Sequence, residues 1–391
     1  MRSPVRQIWR WLDDRLNLEP LRDALSENLR KPVPIHVNWL FTLGSVLIAL
    51  LTVQLLTGLL LMVYYKPSAQ EAYGSIELIT NEVPMGWFVR SLHNWGSHLI
   101  VIIALLHMVR VIIYGGYKRP REVTWIIGVL LLAVILGFGF TGYLLPWDQV
   151  AYWGTVVATE APASIPVVGP LTQQFMIGGT EVADPTLGRF YVVHVFLLPL
   201  VLLGLMGLHL VLIRYQGISS LKRTDEEEPT AEEISGEGGK PFVPYHALKD
   251  LTSMYLALGV LVTLALVFQA HIGDPADPLV TPVGIKPEWY FLPAYQLLKY
   301  VPEVVGVQVP PLFLLLLLAL PLVIDTSPER HPRRRVGVLA GSLVVALVVL
   351  MLGILGHLSE TTQTFMGTSY HFDLLGWPHL VADGTATVEV M

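Results

Sequence analysis

The chain contains no cysteine. That absence excludes disulfides, thiolate-held iron–sulfur clusters and thioether-linked haem within it. Charge is scarce as well: Asp, Glu, Lys and Arg make up 14% of 391 residues, against 53% hydrophobic. A water-soluble protein of this length needs more charge to cover its surface, so lipid is expected to cover much of this one. No Walker loop occurs, and no dinucleotide fingerprint lies between a strand and a helix, so nucleotide chemistry has no visible seat. No nucleic-acid partner is expected.

What is present is apolar sequence in long blocks. Seven stretches, at about 37–64, 89–113, 124–145, 190–214, 251–270, 308–325 and 336–357, each reach the roughly 20 helical residues that cross a bilayer. The expected fold is all-α and polytopic. A four-helix block at 37–216 precedes a three-helix block at 247–357. Residues 1–36, with the opening MRSPVRQIWRWLDDRLN, are too charged for a signal peptide and read as an amphipathic interfacial segment. Residues 217–246, containing TDEEEPTAEEISGEGGKP, read as an acidic flexible linker. Residues 358–391 form a tail.

Basic residues set the expected orientation. Arg2, Arg6, Arg10, Arg15, Arg22, Arg30 and Lys31 precede the first span. Lys118, Arg119 and Arg121 follow the second, Arg330, Arg333, Arg334 and Arg335 follow the sixth, and no Lys or Arg occurs after Arg335. With seven spans, all three clusters fall on one side. The N-terminus is therefore expected in the cytoplasm and the tail outside a bacterial inner membrane.

Four histidines carry the chemistry. His93 and His107 lie fourteen residues apart on the second span, and His194 and His209 fifteen apart on the fourth. At 100° per residue, these intervals bring each pair back to within about 40° and 60° of one helix face, and separate its members by about 21–22 Å. Both spans run inward, so His93 matches His194 in depth and His107 matches His209. A lone membrane histidine is usually a packing or hydrogen-bonding residue. Two matched pairs suit two haem irons, each between two imidazoles. Zinc would need its four ligands at one point.

Glycines repeat the interval: Gly44 and Gly58 on the first span, Gly128 and Gly142 on the third, each pair fourteen apart. A flat porphyrin needs backbone within reach, which glycine permits; small-residue helix packing is the plainer alternative. Arg90, Arg110, Arg189 and Arg214 flank the histidines. They would either pair with haem propionates or a quinone oxygen, or anchor the helices at the interface.

Four motifs in order resemble the cytochrome b subunit of quinol-oxidising cytochrome bc complexes: RSLHNWGSHLIVIIALLHMVRV, GFTGYLLPWDQVAYWG, TLGRFYVVHVFLLPL and PEWYF at 287–291. The resemblance runs from about residue 5 to 357. It implies two non-covalent haem b groups, the low-potential one on His93 and His194 near the outer face and the high-potential one on His107 and His209 near the inner face. The fifteen-residue interval and a second block of only three helices resemble the chloroplast-type branch, with its two chains fused through the linker. That branch anchors a third haem on a cysteine; Thr42 stands in the corresponding place, so no covalent haem is expected.

The resemblance further implies electron bifurcation from quinol, with proton translocation, in a complex containing a Rieske-type iron–sulfur protein, a c-type cytochrome or plastocyanin-like acceptor, other subunits, and a homodimeric arrangement in lipid. Quinol oxidation needs a base that reaches water. Glu288 is the candidate, with Tyr290, Asp148 and Tyr143 secondary. Tyr152, Trp153 and Gly154 would wall the pocket, Gly154 leaving room for the quinone ring. At the inner face His36, Arg214, Lys249 and Asp250 would handle protons during quinone reduction. His98, His246, His271, His331, His357, His371 and His379 read as structural, His98 standing about 140° around the helix from His93. A bis-haem dehydrogenase or hydrogenase anchor would lack the PEWY segment and the second block; a transporter using the histidines as a proton relay would hold no haem.

Overall fold

The computed structural model describes residues 4–381; Arg2 of the N-terminal basic set and residues 382–391 of the tail lie outside the described residues. Two short helices come first, α1 (Pro4–Leu16) and α2 (Glu19–Arg30). On α1, Ile8, Trp11 and Leu12 share one face while Arg10 and Asp14 take the other, the pattern of a helix lying along an interface.

Among the described residues seven helices are long and apolar enough to cross a membrane. They are α3 (Trp39–Met62), α5 (Gly86–Ile113), α6 (Glu122–Tyr143), α9 (Asp184–Gln216), α10 (Phe242–Val267), α12 (Glu303–Ile324) and α13 (Val336–Leu358). Shorter helices α4 (Ala72–Asn81), α7 (Gln149–Glu160), α8 (Val168–Ile177) and α11 (Leu292–Leu298) lie between them. The fold is all-α and polytopic, as expected. The fourth and fifth spans begin earlier than their apolar stretches, at Asp184 and Phe242 instead of near 190 and 251. In α9 a polar first turn causes this, Thr186 Oγ1 accepting from the Ala183 N–H; α10 gains its extra residues from the kinked turn Phe242–His246, where Val243 is non-helical.

α3 packs along α5 and α6 along α9, while α10 lies against α3 and α5, and α12 against α6. Val46, Leu50, Ile100, Ala104, Leu132, Ile135, Leu202 and Leu261 form the buried layer where these helices meet. Within α9, Val193–Leu197 forms a π-turn, with the Leu198 N–H bonded back to the Val193 carbonyl. Pro199 follows and lacks the N–H that a regular α-helix would need there, so the ladder is already broken at this point.

At the N-terminal end of the bundle, charged side chains fasten the two blocks together. Asp325 accepts from Lys118 Nζ at 2.6 Å, Arg335 Nη2 at 2.8 Å and Tyr117 OH at 2.5 Å, all buried. Burial alone would raise the Asp325 carboxyl; the hydrogen bonds from Lys118, Tyr117, Ser327 and Arg335 outweigh it and hold the group at about 2. Glu228, inside the acidic segment, accepts from Arg330 at 2.5 Å, Arg121 at 3.2 Å and Ser220 at 2.6 Å. β1 (Pro32–Val33) pairs with β2 (Lys240–Pro241) at the end of the same segment. The segment expected to be flexible is thus tied to the bundle at Glu228 and β2, because its carboxylate meets guanidinium groups that composition alone does not locate. In the tail, β3 (Thr361–Phe365), β4 (Thr368–Phe372) and β5 (Pro378–Leu380) form an antiparallel sheet after α13.

Candidate functional site

The four histidines fall into two tiers inside the bundle of α3, α5, α6 and α9. In the first tier, His93 on α5 and His194 on α9 face each other with ring centroids 6.3 Å apart. Gly58 of α3 backs His93: a β-carbon there would stand 3.3 Å from its Cε1. Gly142 of α6 backs His194 even more closely, at 2.6 Å. In the second tier the same relation recurs at 3.4 Å, Gly44 against His107 and Gly128 against His209. All four glycines sit at the histidines of their own tier. The buried layer around Leu50 and Leu202 separates the tiers.

Two threonines were not anticipated. Thr57 Oγ1 lies 2.9 Å from His93 Nδ1, and Thr141 Oγ1 lies 3.1 Å from His194 Nδ1. Each hydroxyl already donates within its own helix, Thr57 to the Val53 carbonyl at 2.7 Å and Thr141 to the Gly137 carbonyl at 2.8 Å. The oxygens are therefore left to accept, which puts the imidazole proton on Nδ1 and leaves the Nε2 lone pair free for a metal. The sequence carried a signal, a Thr-Gly pair immediately preceding Leu59 and Tyr143 on two different spans. In the second tier Arg110 Nη2 stands 3.3 Å from His107 Nδ1, and His209 Nδ1 is buried with no partner among the described residues.

These residues fit haem iron. Two imidazole–metal bonds of about 2 Å, with each ring centroid roughly 1 Å behind its nitrogen, span about 6 Å, the separation found in the first tier. The glycines leave room for the imidazoles to lie flush against the helices, and Thr57 and Thr141 leave each first-tier Nε2 lone pair free to ligate. The flanking arginines divide. Arg90 donates to the Ala270 carbonyl at 2.8 Å and to the His271 carbonyl at 2.6 Å, and Arg189 donates to Phe175, so both guanidinium groups are engaged by backbone. Arg110 lies over the Phe41 ring at 4.6 Å and Arg214 over the Phe242 ring at 5.4 Å.

The 287–290 segment lies on the same side as the first tier. The Glu288 carbonyl accepts from the Phe291 N–H at 2.8 Å, which fixes the turn into α11 and leaves the side chain half-exposed. Tyr290 packs against the core, and burial, followed by the nearby Glu288 charge, pushes its phenol up; it stays a neutral donor. Asp148 caps α7, accepting from the Ala151 N–H at 2.9 Å and from the Gly273 N–H at 3.2 Å. Tyr143 occupies the space beside Gly154, where a β-carbon would stand 2.7 Å from its ring. Gly154 thus makes room for a tyrosine. Tyr152 and Trp153 pack edge-on against each other.

His98, read as structural, lies at this segment. The turn folds back onto α5, and the Trp289 indole N–H donates to His98 Nδ1 at 3.1 Å while Glu288 Oε2 lies 4.0 Å away. Helical angle from His93 placed His98 off the haem face; it could not show which loop would return to that other face.

Near the second tier, Asp250 accepts from Ser45 at 2.8 Å and lies 3.7 Å from His246 Nε2. His36 packs against Phe41 and Tyr114, and burial lowers its imidazole despite a backbone hydrogen bond at Ser219. Lys249 stands over Trp39. Thr42 is buried, its hydroxyl 2.8 Å from both the Trp39 carbonyl and the Ser253 hydroxyl.

Comparison with known proteins agrees with this geometry. The family described as cytochrome b/b6/petB matches residues 28–217, and that described as cytochrome b(C-terminal)/b6/petD matches residues 275–372. Cytochrome b6 of Mastigocladus laminosus is 43% identical over 215 residues, which cover 55% of this chain and 99% of that one. Cytochrome b of Allochromatium vinosum is 36% identical over 361 residues, 87% of this chain and 86% of its own. A solved structure described as hyperthermophilic respiratory Complex III superposes with TM-score 0.78 at 32% identity, covering 92% of both chains. The first family match ends at residue 217, where the four-helix block ends, and the second begins beyond the linker. The chain therefore belongs to the cytochrome b/b6 family of haem b electron-transfer subunits of cytochrome bc-type complexes, with the b6-like block and the C-terminal block fused in one polypeptide.

Proposed function

We propose that this chain is the catalytic di-haem subunit of a quinol:cytochrome c, or plastocyanin-like acceptor, oxidoreductase, with haem b held by His93 and His194 near the outer face and by His107 and His209 near the inner face. When bound, the two haems supply one-electron carriers stacked through the hydrocarbon. The observation that carries the reading is the facing pair of His93 and His194, with His107 and His209 set against Gly44 and Gly128 a tier away, and Glu288 beside His98 of the His93 helix.

The residues divide the work. Thr57 and Thr141 hold the first-tier imidazoles in the ligating tautomer. Leu50, Leu202 and Leu261 keep water from bridging the tiers, so protons do not follow electrons between them. Glu288, half-exposed on a fixed turn, takes the quinol hydroxyl proton and gives it to outer water. Tyr290 remains a donor toward a bound quinone, and Asp148 shapes the pocket wall by capping α7. Of the two quinol electrons, one leaves to a Rieske-type iron–sulfur protein and then a c-type cytochrome. The other crosses to a quinone near His36, Arg214, Lys249 and Asp250, which supply inner protons. Crossing works against a field worth about 2.3 kcal/mol per charge per 100 mV.

The basic clusters support an N-terminus in the cytoplasm of a bacterial inner membrane and a C-terminus outside. Residues 37–216 would hold the haems and 247–357 the quinol site, in a homodimeric complex. Glu288→Gln tests the reading. It should slow quinol oxidation while reduced-minus-oxidised spectra still show both haems; wild-type turnover across pH would remove Glu288 from the mechanism.

A further inference from the structure

His98 Nδ1 faces two groups that want opposite things from it. The indole Nε1 of Trp289, at 3.1 Å, can only donate. Nδ1 is then the acceptor, the ring is neutral, and its proton sits on Nε2. Glu288 Oε2, at 4.0 Å, is outside hydrogen-bond reach and unpaired with this ring. Protonation reverses the preference. An imidazolium Nδ1–H cannot accept from the indole, which must turn away, and the carboxylate becomes its natural partner.

Other groups facing His98 do not compete. Trp95 lies tilted against it at 5.5 Å between centroids, with its own N–H donated to the Phe268 carbonyl at 2.5 Å. Tyr290, at 6.4 Å, keeps its phenolic proton. Glu288 is the charged group that can answer a charge on His98.

We propose that His98 is a positioning residue for Glu288, leaving the carboxylate free for quinol when neutral and drawing it into an ion pair when protonated. The proposal rests on the reading of Glu288 as the quinol base. Its step is a proton equilibrium: one proton from solvent adds at Nδ1, the Trp289 hydrogen bond is lost, and no electron moves. Quinol oxidation then fails on the acid side when His98 charges, because a paired carboxylate is a weaker base and points away from substrate.

The test is the pH profile of quinol oxidation by the purified complex, read between about pH 5 and 9, the range in which histidine charge changes. His98→Gln keeps an oxygen that can accept from the indole but takes no proton. It should retain both haems and move the acid midpoint down by about one pH unit, a tenfold rate difference on that limb. Trp289→Phe removes the competing donor and keeps the imidazole, so its acid midpoint should rise. An intact His98→Gln complex with the wild-type midpoint would overturn the proposal. Should that variant not assemble, an unmoved midpoint in Trp289→Phe would do the same. Glu288→Gln separates the two readings: full activity there removes the outer-site assignment itself, whereas slow Glu288→Gln beside a wild-type His98→Gln profile removes only the role of His98.

Discussion

The imidazole of His194 lies so close to Gly142 that a β-carbon on that glycine would stand 2.6 Å from Cε1 and 3.1 Å from Nδ1. The ring cannot simply swing clear, because Nδ1 is also bonded to Thr141 on the same helix. Gly142→Ala should therefore displace the His194 imidazole, at the roughly 1–3 kcal/mol that overpacking costs. We expect the first-tier haem to be lost or its spectrum altered. Gly44→Ala and Gly128→Ala, whose β-carbons would meet the histidine rings at 3.4 Å, an ordinary van der Waals contact, should keep their haem, and Gly204→Ala on α9, which meets nothing within 4 Å, is the control. Full haem content and unchanged spectra in Gly142→Ala would show that the ring has room to move.

His209→Leu and His194→Leu should fail differently. On the proposed haem assignment, losing His209 removes a second-tier ligand and spares the first tier, so quinol should still reduce the remaining haem. That electron then has no acceptor within about 20 Å along the bundle. Losing His194 should abolish haem reduction through the outer site. Stopped-flow reduction with an inhibitor of each quinone site reads the difference. If His209→Leu removes the haem that the outer site reduces first, the depth assignment is inverted.

Asp325→Asn should loosen the joint between the two blocks. It leaves Lys118 and Arg335 buried beside a neutral amide, and breaking such a buried network costs about 3–5 kcal/mol. The sign with pH follows from the carboxyl being held at about 2, below its unfolded value. Its stabilisation is present above about pH 4 and is lost as pH falls through about 2. Denaturation in detergent should show the variant less stable at neutral pH, with the gap closing toward pH 2. A constant gap over that range would exclude Asp325 as its source.

The number of spans, the two histidine intervals and the repeated glycines were legible in the chain itself, because hydrocarbon thickness and the helical repeat impose fixed lengths on any sequence that crosses a bilayer. The same rules left His194 and His209 about 60° apart around α9, because fifteen regular positions overshoot four turns. The π-turn at Val193–Leu197 takes up the extra residue, so His194 and His209 both face the bundle. What only tertiary structure decided are contacts between segments far apart in the chain: Thr57 on His93, Glu228 between Arg121 and Arg330, Tyr143 in the space beside Gly154, and His98 under the Trp289 indole. Periodicity states which face of a helix a residue occupies. Which neighbour covers that face depends on packing among helices, and no local pattern of residues records it.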